Sequence, residues 1–364
     1  MSQPFFHIEM LPAGHGDCIW VEYGQDAEIF RILIDGGTLE TFEFIDKRIR
    51  QMPDGDRSFE LIVLSHVDAD HIEGLVRLLA ESPLPIAVDK VWFNGWRQMR
   101  KLDGTLGPLQ GEFLSALLAK RASHAWDPES PPWAVSSKGD LRSIMLPGGM
   151  QLTLLSPDAG KLEAMAKFWE PVIIKAGFQA GDLESALKTL AKRKEFHPGK
   201  GLLGTDDGLD TLITNQFAGD RKAPNGSSIA FLAEFKGKSA LFLADAHTDI
   251  ILRSIRRLCR QRRTHNLAVG AVKASHHGSK GNTSSELLGM IRSPVYLIST
   301  NGQKFKHPDK ECIARILNDG KPDKLYFNYR SEYTEPWLQE ATQKQHGFIS
   351  CVRPESALSI KVEL

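Results

Sequence analysis

Ser65-His66-Val67-Asp68-Ala69-Asp70-His71 stands directly after the largely apolar run from Phe59 to Leu64. His66, Asp68, Asp70 and His71 are all metal-competent, and they fall at the end of what reads as a buried strand. A strand end holds ligands rigidly and leaves room for a substrate beyond it. In the tight turn that follows, His66 and Asp68 point to one side and Asp70 and His71 to the other, so two adjacent subsites can form. Imidazole with carboxylate suits zinc, and the high carboxylate share moves the preference toward harder ions such as manganese. The spacing predicts a metal-dependent hydrolase, against the plainer reading of a solvated turn rich in Asp and His.

With 364 residues, 41% hydrophobic and 25% charged, the composition is that of an ordinary globular protein of one large domain or two modest ones, and it excludes the disordered class. Formal net charge is +0, so no global field draws the chain onto nucleic acid or an anionic membrane, and such binding has to come from local patches. The start, Met1-Ser2-Gln3-Pro4-Phe5-Phe6, lacks the basic and apolar regions of a signal peptide, and no run approaches the roughly 18 apolar residues of a membrane helix. The expectation is a cytoplasmic chain with no membrane segment. Cys18, Cys259, Cys312 and Cys351 have neither paired nor zinc-finger spacing and read as reduced core residues.

Strands and helices alternate along the chain. Residues 6–11, 18–23 and 29–34 read as three short strands, with Gly14-His15-Gly16-Asp17 and Gly24 as turn signals and Asp35-Gly36-Gly37 closing the third. A helix to about Met52 carries apolar Phe42, Ile45 and Ile49. After the metal motif come a helix at 72–79, a strand at 88–93, a helix at 109–121, a Pro- and Ser-rich loop, and strands at 143–146 and 151–155. Residues 160–194 read as helical and 195–225 as Gly-rich, so 158–224 is expected to form an insertion or lid within one domain spanning 1–364. Beyond Ser228 the pattern resumes with strands at 229–235, 240–244, 269–274, 295–299 and 325–328, and helices at 248–262, 284–291 and 308–317. The order is α/β.

Two later strand ends complete a constellation with the first. Asp245 ends the strand Ala240-Leu241-Phe242-Leu243-Ala244, and Ser275-His276-His277-Gly278-Ser279 follows the strand ending at Ala274. Metal-competent residues at three separate strand ends are not readily produced by a solvated face.

Taken with Gly14-His15-Gly16-Asp17-Cys18 and Leu33-Ile34-Asp35-Gly36-Gly37, these motifs resemble the metallo-β-lactamase fold hydrolases. More narrowly they are similar to the C-terminal hydrolase domain of ComEC-type DNA-uptake proteins, over nearly the whole chain outside 158–224. The resemblance implies a four-layer αβ/βα sandwich with one or two divalent ions, zinc or manganese, at one edge. It places His66, Asp68 and a histidine of the later motifs on one ion, Asp70, His71 and His276 on the other, and Asp245 as the bridge. Asp35 matches an acidic residue behind the metal loop and supports the ligands. Two departures stand out. Asp68 replaces the usual histidine, and Leu154-Leu155-Ser156-Pro157-Asp158 lacks the further histidine ligand of that strand end. Ser156, Asn225 or a water is then left to fill the first subsite, and occupancy by a single ion is the alternative.

Water between two cations about 3.5 to 4 Å apart has its pKa lowered from roughly 15.7 toward about 7, and the same ions polarise the oxygen under attack. Asp70 is placed to orient the resulting hydroxide. Strand-end placement favours His276 as the ligand, and His277, if it is not one, is placed to protonate the leaving group.

Substrate contacts are expected from His307, before Pro308, and from His247; His15 reads as a loop residue. Arg256 and Arg260 belong to a positive segment from Arg253 to Arg263 that suits a phosphate backbone or, alternatively, a solvated helix face. Lys188, Lys192, Arg193, Lys194 and Lys200 form a second basic cluster, and Trp96 and Trp133 are candidates for stacking on a base. The reading is a phosphodiester hydrolase, a nuclease or phosphodiesterase with nucleic acid or a nucleotide as substrate. The alternatives are a small-molecule lactone, ester or phosphoester hydrolase, and a module whose metal site acts only with a protein partner. Oligomeric state is left open.

Overall fold

A computed structural model of the chain describes residues 3–99, 109–136, 139–175, 177, 179–190 and 219–364. Pro4–Met10 (β1), Ile19–Gln25 (β2) and Glu28–Ile34 (β3) form an antiparallel meander, with a tight turn between β2 and β3 in which Asp26 takes a φ of 60°. Helix Thr41–Arg50 (α1) then carries the chain to Leu61–Val63 (β4), and helix Ala69–Ala80 (α2) to Val91–Trp92 (β5), both strands parallel to their neighbours. The sheet therefore switches from antiparallel to parallel at β3.

The second half repeats this plan. Beyond helix Leu109–Arg121 (α3), strands Ser143–Met145 (β6) and Gln151–Ser156 (β7) pair antiparallel, and helix Ala159–Lys175 (α4) follows. Ala230–Phe235 (β8) and Lys238–Phe242 (β9) continue the antiparallel order. After helix Thr248–Arg262 (α5) the sheet turns parallel through Ala271–Lys273 (β10) and Val295–Ile298 (β11). Helix Lys310–Arg315 (α6), Lys324–Phe327 (β12) and Ile349–Val352 (β13) extend it. Ile360–Glu363 (β14) crosses back to β1, giving a six-stranded sheet in the order β14-β1-β2-β3-β4-β5 and an eight-stranded one running from β13 to β6.

Period-2 alternation sorts the strand residues between two faces. Ile19, Val21, Ile32, Ile34, Leu61 and Val63 join a core shared with Leu152, Leu154, Phe231 and Leu241 of the other sheet. Trp20, Leu33 and Ile62 face the other way, onto Ile45 and Ile49 of α1, Leu75 and Leu78 of α2, Leu117 of α3 and Trp169 of α4. Helix α5 turns Ile251, Ile255 and Leu258 onto the second sheet, where Ser254 Oγ donates to the Leu155 carbonyl. The result is a helix–sheet–sheet–helix sandwich, the four-layer α/β arrangement the resemblance implies.

Some element bounds differ from the sequence reading. Where one helix was expected over 160–194, α4 ends at Lys175 and a second helix covers Leu183–Leu190. Leu162, Met165 and Trp169 of α4 are buried in the helix-side core, so this part of 158–224 is built into the layer. Residues 191–218, with most of the expected Gly-rich stretch, lie outside the described residues. Among the described residues no helix is long and apolar enough to cross a membrane.

Candidate metal centre

Two loops close on the start of α2. Asp17 N donates to the Asp70 carbonyl (3.2 Å) and Gly36 N to the His71 carbonyl (2.7 Å). The approach leaves no room for side chains: a Cβ on Gly16 would stand 1.7 Å from the Asp70 carbonyl oxygen, and one on Gly74 would stand 2.0 Å from that of Gly36. Asp68 occupies the helix cap position but makes no side-chain cap bond, which leaves its carboxylate free for the cleft.

Hydrogen bonding fixes the imidazoles. His71 Nδ1 donates to Asp35 Oδ2 (2.8 Å), and Asp35 also accepts from Ser65 N and Ser65 Oγ, both at 2.7 Å. Having given its proton to Asp35, Ser65 Oγ accepts from His66 Nδ1 at 3.1 Å. His277 Nδ1 donates to the Ser299 carbonyl (3.0 Å), and His276 Nδ1 to Asn282 Oδ1 (2.8 Å). With every Nδ1 committed as a donor, Nε2 is in each ring the nitrogen left to take either a cation or a proton.

Those Nε2 atoms converge on Asp245. His71 Nε2 lies 3.6 Å from Oδ1, and the Nε2 atoms of His66, His276 and His277 lie 3.8, 3.5 and 3.7 Å from Oδ2. His71 Nε2 and His277 Nε2 face each other at 3.2 Å, a repulsive arrangement unless positive charge lies between them. Asp70 Oδ2 is 3.6 Å from His277 Nε2, and Asp68 Oδ2 is 3.8 Å from His66 Nε2. His66 Nε2, Asp245 Oδ1 and Asp17 Oδ1 are buried without a hydrogen-bond partner, a costly state for a native site. Asp17, His71, Asp245 and His277 each offer a donor atom within 4.8 Å of the others. Orphaned donors of mixed imidazole and carboxylate type fit divalent cations.

The electrostatics point the same way. Burial raises the Asp68 carboxyl to about 6, helped by Asp70 and Asp245. Burial also acts against charge on Asp245, but His276, His277 and His71 hold it well below the usual carboxylate range. Burial lowers His66 to about 4; on His276 it is outweighed by Asp245 and Asp220, which lift the ring to about 9. The pocket favours positive charge, which a bound cation supplies in place of protons. Behind it, buried Lys273 bonds Asp17 Oδ2 through Nζ at 2.7 Å, while Asp17 Oδ1 stands 3.3 Å from His277 Nδ1.

His66, Asp68, Asp70, His71, Asp245, His276 and His277 are thus brought together, with Asp35 directly behind His71. The expected division of the two later histidines is reversed in space: His277, not His276, faces His71 and Asp70. With Nδ1 given to Ser299 and Nε2 turned inward, His277 has no free proton for a leaving group. Asn225 donates to Asp220 Oδ2 (2.7 Å), and Ser156 Oγ is buried without a partner.

The outlying expectations fare unevenly. His307 borders the centre, its ring 5.5 Å from that of His276, and it precedes α6 rather than starting it, because Asp309 holds the cap position. His247 instead caps α5, with Nε2 on the Lys222 carbonyl (2.9 Å) and Nδ1 beside Lys161 Nζ (3.0 Å). Arg256 and Arg260 line a surface groove of about 700 Å³ that includes none of the metal-motif residues, and Arg256 pairs with Glu286. Amphipathicity explains this: α5 buries its apolar stripe and turns its arginines away. Trp133 is stacked on Trp92 (4.5 Å) and covered by Arg142 (3.9 Å), which removes it as a platform for a base. Lys188 pairs with Glu184, and Lys192, Arg193, Lys194 and Lys200 lie outside the described residues.

Sequence reasoning missed Asp17, Lys273, Asp220 and Asn282. A lysine inside the apolar strand Ala271-Val272-Lys273-Ala274 was the available signal for a buried partner carboxylate. It also missed the mouth, where Phe305 packs on His15 (5.5 Å) and the amines of Lys222 and Lys304 lie 5.6 and 4.9 Å from its ring centroid.

No protein-family model matches the chain, and no curated protein does either. Among solved structures it is similar to the metallo-β-lactamase fold protein YhfI from Bacillus subtilis, at 9% identity and a TM-score of 0.43 over 99% of each chain. It is also similar to Zn(2+)-bound PqqB from Methylobacterium extorquens, at 11% identity and a TM-score of 0.40 over 98% of this chain and 100% of that one. A mutant of CmlA β-hydroxylase gives 13% identity and a TM-score of 0.37 over 99% of this chain; the chain spans 54% of that protein, about half its length. Likenesses this distant leave activity and substrate to the chemistry of the donors themselves.

Proposed function

We propose that the chain is a metal-dependent hydrolase of the metallo-β-lactamase type that acts on phosphodiesters, as a nuclease or phosphodiesterase. The observation that carries the metal half is the set of four imidazole Nε2 atoms gathered around the buried Asp245 carboxylate. Asp70, His71, His277 and Asp245 make one ligand set, and His66, Asp68 and Asp245 begin a second. When bound, divalent ions there lower the pKa of water and polarise a phosphoryl oxygen.

The chain's own residues hold and aim this chemistry. Asp35, Ser299 and Asn282 fix the imidazoles through Nδ1. Asp70 orients the attacking water, and His307, the remaining imidazole beside His276, transfers the proton to the leaving group. The phosphodiester half is supported by the resemblance to the ComEC-type domain and by the mouth, where Lys222, Lys304 and Phe305 suit a phosphate with an attached flat ring.

The test is an assay of purified protein with manganese or zinc on single-stranded DNA, duplex DNA, RNA and a bis-phosphodiester chromogen. Cleavage that Asp70→Ala abolishes is expected. Polymer cleavage that weakens with salt supports a nuclease, and cleavage of the chromogen alone supports a small phosphodiester. Hydrolysis of a lactone or thioester with every phosphodiester left intact overturns the substrate half.

A further inference from the structure

His66 Nε2, Asp68 Oδ2 and Asp245 Oδ2 make three ligands for an ion that ordinarily takes at least four. The strand end that should supply another, at the close of β7, offers only Ser156. We propose that His276 is the fourth ligand, so that the double-histidine turn feeds one imidazole to each subsite: His276 meets His66 at Asp245 Oδ2, while His277 faces Asp70 and His71. The inference rests on the metal-centre reading above.

Distance supports the assignment. Ligand atoms held tetrahedrally at about 2.1 Å from one ion stand roughly 3.4 Å apart. His276 Nε2 lies 3.5 Å from Asp245 Oδ2, His66 Nε2 lies 3.8 Å from the same oxygen, and 3.8 Å separates His66 Nε2 from Asp68 Oδ2. Asp245 Oδ2 is thus the atom on which His66 and His276 meet; His277 Nε2, 3.7 Å from the same oxygen, is engaged instead by His71 Nε2 at 3.2 Å and Asp70 Oδ2 at 3.6 Å.

The tautomer of His276 is set for the role by a chain of hydrogen bonds. Asn282 Nδ2 donates to the Asp245 and Ala246 carbonyls (3.1 and 3.3 Å) and to Asp220 Oδ2 (3.2 Å). Its amide orientation is therefore fixed, and Oδ1, 2.8 Å from His276 Nδ1, can only accept. Asp220 Oδ2, 3.3 Å from the same nitrogen, is a second acceptor. With one proton fixed on Nδ1, Nε2 is the nitrogen that faces Asp245 and that a cation would occupy in place of a proton, the carboxylate-backed arrangement of a metal-ligating imidazole.

Backbone geometry explains how adjacent residues reach different ions. His276 and His277 are both left-handed, with φ of 48° and 55°, a costly conformation for side chains of this size. It splays the two rings to an interplanar angle of 75° with centroids 5.8 Å apart, enough to serve neighbouring subsites.

The test is metal stoichiometry by elemental analysis, together with the visible absorption of cobalt(II)-substituted protein, on wild type, His276→Gln, Asp220→Asn and Ser156→Ala. Wild type should hold two ions per chain. His276→Gln should hold one, and that retained ion itself reports a folded second subsite. Asp220→Asn, which leaves the ring in place, should weaken one ion by about 10–100-fold and leave the other unchanged. Ser156→Ala should match wild type in count and spectrum. Two ions with an unchanged cobalt spectrum in His276→Gln, or loss of an ion in Ser156→Ala, overturns the inference. A wild type with a single ion overturns it while leaving the metal reading intact, and a wild type with none overturns both.

Discussion

Lys273 ends β10 with its ammonium buried against Asp17, which belongs to the loop between β1 and β2 of the opposite sheet. Removing one member of such a pair strands the other's charge, so Lys273→Met should destabilise the protein by about 3–5 kcal/mol in urea unfolding. The double variant Asp17→Asn with Lys273→Met should recover most of that; losses that simply add would show that the two groups are not coupled. Asp245→Asn keeps shape but removes the shared charge, and metal analysis should then find both ions lost or weakened. The strand-end ligands were legible because His and Asp have few other reasons to cluster after apolar runs. Asp17 was not, since a carboxylate among glycines reads as a turn former and its partner lies 256 positions away. Asp220 sits in a stretch without periodicity, where only the assembled turn reveals that it backs His276.

Helix placement depends on close backbone contacts as much as on apolar stripes. Gly16→Ala would drive a methyl group into the Asp70 carbonyl, so it should displace the first turn of α2 and lower both thermal stability and metal retention; a variant that melts and binds like wild type would refute this. Between α3 and α4, fully buried Glu112 accepts from Gly181 N at 3.0 Å and from Trp169 Nε1 at 3.2 Å. Burial raises its pKa from 4.5 to about 7, only partly offset by Gly181 and Arg97. The folded state then binds more protons than the unfolded one between those values, so this group favours folding at low pH and its contribution is lost as pH rises through about 7. Glu112→Gln should gain on wild type in melts at pH 8 relative to pH 5, and a pH-independent difference would count against the assignment. Element order was largely legible from periodicity. What escaped was facing: the arginines of α5 suited a phosphate backbone and a solvated helix face equally, and it is Ile251, Ile255 and Leu258 on the inner side that decide for the second. The closing strand β14 escaped too, because its Ile360-Lys361-Val362-Glu363 alternation names no partner.

The donors come from both sheets, with His66, Asp68, Asp70 and His71 following β4 of the first and Asp245, His276 and His277 following β9 and β10 of the second. Ions that bind only the docked arrangement stabilise it by mass action, about 2.7 kcal/mol per site at a hundredfold excess over Kd. Stripping metal with a chelator should therefore lower Tm, and restoring zinc or manganese should raise it; a Tm indifferent to chelation would mean that the ligands do not act as a unit. The Lys273–Asp17 pair crosses the same seam, so neither sheet folded alone presents a finished socket. A collapsed chain that kept its helices but let the sheets slide apart would drop its cation first, which makes metal release, timed against the loss of helical signal, a clock for the parting of the two halves.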